Sequence, residues 1–74
     1  MAENKNEEIL LDGLERVSQS AAFLGVSRSK IYQWISEGVL PSVKIGHSRR
    51  VPIRSVRELA AANLVFVRAT NPNL

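Results

Sequence analysis

Val17-Ser-Gln-Ser-Ala-Ala-Phe-Leu-Gly-Val-Ser-Arg-Ser-Lys-Ile-Tyr-Gln-Trp-Ile35 is the stretch on which the fold turns. Ser18 is a candidate N-cap, because its hydroxyl can accept from a free backbone N–H of a first turn. A first helix is then expected from about Gln19 to Leu24, with Ala21, Phe23 and Leu24 as packing residues. Gly25 supplies the left-handed conformation that ends a helix at little steric cost. Ser27 caps a second helix, expected from about Arg28 to Glu37. Ile31, Trp34 and Ile35 stand at i, i+3 and i+4 and share one face. At about 100° per residue, Ser29, Gln33 and Ser36 fall on the opposite face, flanked by Lys30 and Tyr32. Gly38 stops this helix and Pro41 prevents its resumption.

A short apolar helix, a glycine turn and a capped helix with a polar outer face make the layout of a helix-turn-helix. The residues that follow add to it. Val43 and Ile45 alternate with Lys44, as a half-buried strand requires. Gly46-His47-Ser48-Arg49 reads as a turn, and Arg50-Val51 as a returning strand that Pro52 restricts to an edge or an end. Ile53, Val56, Leu59, Ala60, Leu64 and Val67 form the inner stripe of a third helix, starting near Ile53 behind Pro52. It is expected to end near Asn63 or to run on to about Arg68. The fold expected is mainly α with a small β-hairpin: a winged helix-turn-helix of three helices and a two-stranded wing. The domain spans residues 16–68. Residues 1–15 form an acidic arm, disordered at least over 1–8, and residues 69–74 a frayed tail.

Charge supports a polyanionic partner. The chain has 74 residues and a net charge of +3. Residues 1–15 carry five acids against Lys5, whereas residues 16–74 carry nine Lys and Arg against Glu37 and Glu58. A basic body with an acidic arm suits nucleic acid, with the arm placed to shield or modulate that surface. A single small domain with no cysteine has neither a disulfide framework nor a thiolate metal site. The lone His47 cannot build a zinc site, and no cofactor is implied. The longest apolar stretch, Leu59 to Val67, is interrupted by Asn63 and is too short to span a bilayer. The polar, acidic N-terminus is not a secretory signal, so the expected location is cytoplasmic.

No matched acid, base or nucleophile is visible, and the glycines are scattered through turns, so no enzyme is expected. The second helix carries the chemistry instead. An α-helix fits the major groove of B-DNA and meets base edges through its N-terminal residues. Gln33 can pair bidentately with adenine. Arg28 can reach guanine or a phosphate, and Lys30 a phosphate. Ser27, Ser29 and Tyr32 offer hydroxyls. In the wing, Arg49 and Arg50 alternate in direction, so one of the two is expected to enter the groove directly, and Arg49 lies nearer the tip. An inserted arginine favours a narrow minor groove. Lys44, His47 and Ser48 are candidates for the flanking backbone. Arg54 and Arg57 are further backbone candidates, with an Arg54–Glu58 pair as the competing use. Trp34 and Phe23 fit core packing better than base stacking.

Ser18-x-x-Ala-x-Phe-Leu-Gly-Val-Ser-Arg-Ser-Lys-Ile-Tyr-x-Trp-Ile-x-x-Gly-x-Leu-Pro41, then Val43-Lys-Ile-Gly46 and Arg49-Arg-Val-Pro-Ile53, resembles the phage excisionase family of recombination directionality factors. That family is a winged helix-turn-helix related to the DNA-binding domains of mercury-resistance-type regulators. The resemblance covers about residues 16–64. It implies a reading helix at Ser27–Glu37 and a wing at Lys44–Arg50. It also implies binding to tandem sites in double-stranded attachment DNA, bending of that DNA, and help to a tyrosine integrase in excision. The chain departs from the family at His47-Ser48, where the wing is often more basic. It departs again at Val65-Phe-Val67, which extends past the usual domain and suggests self-association. Two other readings use the same residues differently: a small winged-helix transcriptional regulator, and a protein-interaction module working through the apolar tail.

Overall fold

Two glycines set the angles of the helix-turn-helix. A computed structural model of the chain describes residues 5–65. Its helices are α1 (Lys5–Ile9), α2 (Val17–Leu24), α3 (Arg28–Ser36) and α4 (Ile53–Ala62), and its strands are β1 (Leu14–Arg16), β2 (Val43–Ile45) and β3 (Ser48–Pro52). After α2, Gly25 adopts φ 69°. The N–H of Gly25 then donates to Ala22 and that of Val26 to Ala21. After α3, Gly38 has φ 78°, and Gly38 and Val39 donate to Ile35 and Trp34. Both are Schellman endings, which satisfy carbonyls that would otherwise lack partners.

The first helix begins earlier than expected. Its N-cap is Arg16, not Ser18, and Gln19 Oε1 closes the end by accepting from the Arg16 N–H at 2.8 Å. The earlier start puts Val17, Ser20, Ala21 and Leu24 on the inner face at i, i+3, i+4 and i+7. Val17, Ser20 and Ala21 are buried there and Leu24 packs beside them. Phe23 lies one step off this stripe and is 59% exposed, so it is not the core residue its apolar neighbours suggested. Buried Ser20 donates its Oγ to Glu15 Oε2 at 2.8 Å, avoiding an unsatisfied hydroxyl and pinning β1 to α2.

The core is built from Val17, Ala21, Ile31, Leu40, Val51 and Val56, with Trp34, Ile35 and Leu59 partly buried against it. One residue of it comes from each of α3, β3 and α4, and two from α2. Helix α3 is therefore held by the same cluster that anchors the wing.

Two elements go beyond the expected three helices and two-stranded wing. The short helix α1 occupies a segment expected to lack order. Strand β1 enlarges the hairpin to an antiparallel sheet of order β1-β3-β2. Glu15 is opposite Val51 and Arg16 opposite Arg50, while Lys44 is opposite Arg49 on the other side. The wing turn is only Gly46-His47, with Ser48 and Arg49 already in β3. Pro52 ends β3, where it interrupts no ladder. Helix α4 stops at Ala62, and Asn63 Nδ2 donates to the Leu59 carbonyl at 2.8 Å. Leu64 is 62% exposed and leaves the inner stripe, because the helix carrying that stripe has ended. Val67, the continuation to Arg68 and the tail lie outside the described residues. Among the described residues, no helix is long and apolar enough to cross a membrane.

Candidate nucleic-acid interface

Ser27 caps α3 as expected, with its Oγ accepting from the Lys30 N–H at 3.1 Å. That bond uses one acceptor site of the hydroxyl, which keeps its proton and a second lone pair. Ile31 is fully buried beneath the helix. This fixes the rotation of α3 and turns Arg28, Ser29, Tyr32, Gln33 and Ser36 outward, all of them exposed. Tyr32 is 50% exposed.

A concave groove of about 420 Å³ opens between α3, the start of α2 and the wing. Arg28 and Tyr32 line it from α3, His47, Ser48, Arg49 and Arg50 from the wing, and Arg16, Val17 and Ser18 from the β1–α2 junction. The lining contains four arginines and no carboxylate. The outcome is a concave positive field, suited to a polyanion.

Both wing arginines line this groove, although alternation along the strand was expected to admit one. Arg49 Nη1 donates to Ser42 Oγ at 2.8 Å, and Arg50 Nη1 to the Arg49 carbonyl at 3.3 Å. Neither has a carboxylate partner among the described residues.

Other candidates stand outside the groove. Lys30 Nζ lies 5.4 Å from the centre of the Trp34 ring, a cation–π contact that holds the ammonium along the helix flank. Gln33 Nε2 donates to Glu37 Oε2 at 3.0 Å and has to leave that partner before its amide can read a base. Ser29 and Lys44 are exposed but do not line the groove.

Arg54 and Arg57 are committed to the arm. Asp12 Oδ2 accepts from Arg54 Nε at 3.1 Å and from Arg57 Nη2 at 2.7 Å. The expected Arg54–Glu58 partnership gives way to this one. The hydrogen bond from Arg54 holds the Asp12 carboxyl below the usual carboxylate range, and the same contact raises Arg54. Beside it, the Ile53 N–H donates to the Gly13 carbonyl at 3.0 Å.

Sequence reasoning missed Arg16 and Ser18 as groove residues. The available signal was the change of charge sign, since Arg16 is the first basic residue after the acidic arm. What brings it to the groove is its pairing with Arg50, 34 positions away along the chain, and no local pattern displays that.

Comparison with known proteins agrees with this geometry. The chain is 38% identical over 45 residues to a protein of Saccharopolyspora erythraea named "Probable excisionase", covering 61% of this chain and 46% of that protein. This chain thus spans about half the length of that relative. No solved structure matches. Residues 16–64, which hold the α2–α3 pair, the wing and α4, match the family described as "Helix-turn-helix domain". The chain belongs to this helix-turn-helix domain family, a fold that binds DNA and is not enzymatic.

Proposed function

We propose that this chain is an excisionase-type recombination directionality factor. It binds the attachment-site DNA of a phage or other mobile element in adjacent copies, bends it, and directs a tyrosine integrase toward excision. The carrying observation is the groove in which the reading helix and the wing present arginines with no carboxylate among the lining residues. The likeness to the probable excisionase of Saccharopolyspora erythraea supports assigning that groove to recombination.

In this reading Arg28, Gln33 and the hydroxyls of Ser27, Ser29 and Tyr32 address the major groove. Arg49 addresses the adjacent minor groove, and Arg50, Lys30, Lys44, His47 and Ser48 the backbone. One small domain makes few base contacts. Bending a site by 40–90° costs on the order of 1–6 kcal/mol, so neighbouring copies that share the bend raise one another's affinity. The copies meet through the acidic arm or through the segment from Leu64 onward, whose Leu64 and Val65 are exposed. The site of action is the nucleoid in the bacterial cytoplasm.

The test is a gel-shift titration on the element's own attachment DNA, with and without integrase. Cooperative, stepwise complexes that integrase shifts further support the proposal. A footprint confined to one isolated, unbent site rejects it. Binding at a promoter with no response to integrase favours a transcriptional regulator.

A further inference from the structure

We infer that Arg16 is a DNA-backbone contact: its guanidinium, with that of Arg50, holds a phosphate of the duplex at the base of the wing. This inference rests on the DNA-binding reading of the groove and adds to it a residue from β1, at the N-cap of α2.

Arg16 breaks two local rules at once. It occupies the N-cap of α2 at φ −74° and ψ 154°, where Ser, Thr, Asp or Asn is favoured because the cap side chain must accept a hydrogen bond. A guanidinium has no acceptor, and Gln19 closes the helix end from the other direction. Arg16 is also directly opposite Arg50 in the β1–β3 ladder. Directly opposed like charges on neighbouring strands destabilise a sheet. Nothing in the groove offsets this, because the lining has no acid and Arg16 has no carboxylate partner among the described residues. Sites where local rules fail together are expected to be functional ones.

A phosphate relieves the repulsion. Its oxygens accept from two guanidiniums at once, with charge-assisted bonds stronger than neutral ones. Position favours backbone over base. The base-reading face is on α3, whereas Arg16 stands at the start of α2, and the first helix of such motifs crosses the backbone. Arg16 therefore fixes register and contributes affinity without choosing sequence.

The experiment measures the salt dependence of binding to two labelled duplexes about three helical turns long, one A·T-rich and one G·C-rich. It compares the full chain with Arg16→Gln, Arg16→Lys and Arg49→Gln. Losing one phosphate contact lowers the slope of log K against log salt by about 0.9. Between 50 and 200 mM salt, Arg16→Gln then loses about 3.5-fold less affinity than the parent, equally on both duplexes. Arg16→Lys restores the slope, because the charge is kept. The free Arg16→Gln protein melts at or above the parent temperature, because a like-charge pair is gone. An unchanged slope in Arg16→Gln beside a lowered one in Arg49→Gln overturns the Arg16 assignment and leaves the groove reading standing. A slope lowered on only one duplex overturns it as well, since Arg16 would then be reading sequence. A parent protein without salt-dependent binding overturns the groove reading itself.

Discussion

Ile31→Ala tests whether the core holds α3 in place. Ile31 is fully buried among Val17, Ala21, Leu40, Val51 and Val56. Truncating such a side chain to Ala costs about 2–5 kcal/mol, from lost transfer free energy and the cavity left behind. At roughly 0.05–0.15 kcal/mol per residue, a domain the size of residues 5–65 has a total stability of only about 3–9 kcal/mol. The substitution therefore removes a large share of the fold. Each 1 kcal/mol shifts the melting temperature of a small domain by about 4–8 °C, so Ile31→Ala is expected to lower it by at least about 8 °C. Ile31→Val costs about 0.5–1.5 kcal/mol and leaves the domain folded at low temperature. Thermal melts followed by circular dichroism give the stability. Binding to attachment DNA at a temperature where Ile31→Val is fully folded gives the function. Parent-like affinity is expected there, because Ile31 lies on the buried face of α3. An Ile31→Ala protein melting within about 2 °C of the parent would refute the placement of α3, as would weakened DNA binding by fully folded Ile31→Val.

Ser27→Ala removes the cap acceptor of the Lys30 N–H. It is expected to destabilise the domain by about 0.5–2 kcal/mol, read as a shift in the urea midpoint at constant m-value. Asp12→Asn unclasps the arm from Arg54 and Arg57 and makes stability less dependent on pH in the acid range. The sign follows from the lowered Asp12 pKa. Its contribution is present above the unfolded carboxylate pKa of about 3.9 and is lost as pH falls through the lower folded value. Urea midpoints from pH 6 down to pH 2 should therefore converge for parent and variant at the acid end. A constant gap across that range would argue against the ion pair.

Most of the architecture was legible because punctuation residues marked it. Gly25 and Gly38 ended helices, Pro41 and Pro52 bounded the wing, and Ile31, Trp34 and Ile35 showed the inner face of α3 by spacing alone. The unread parts were those whose cause is distant in sequence. Strand β1 has three residues, too few to show an alternation, and exists because β3 supplies its partners. Asp12 lies 42 and 45 positions from the arginines it binds. The i+4 rule therefore pointed Arg54 at Glu58 instead. Phe23 was misplaced because its apolar character was read as packing: it lies about 100° round the helix from Leu24, off the stripe of Val17, Ser20, Ala21 and Leu24. At the interface, the cations of α3 and the wing were legible by type. Their convergence with Arg16 required the sheet register.

The most direct test of the central claim is a pair of substitutions on the outer face of α3, measured on attachment DNA and on an unrelated duplex. Arg28→Ala and Gln33→Ala leave the buried face of the helix untouched and remove the two side chains that the proposed function assigns to base reading. Each bidentate base contact carries about 1–3 kcal/mol of discrimination. The double variant is expected to lose most of its preference for attachment DNA and to keep salt-dependent binding to both duplexes through the wing. Sequence preference equal to the parent's in the double variant would contradict the assignment of α3 as the reading helix.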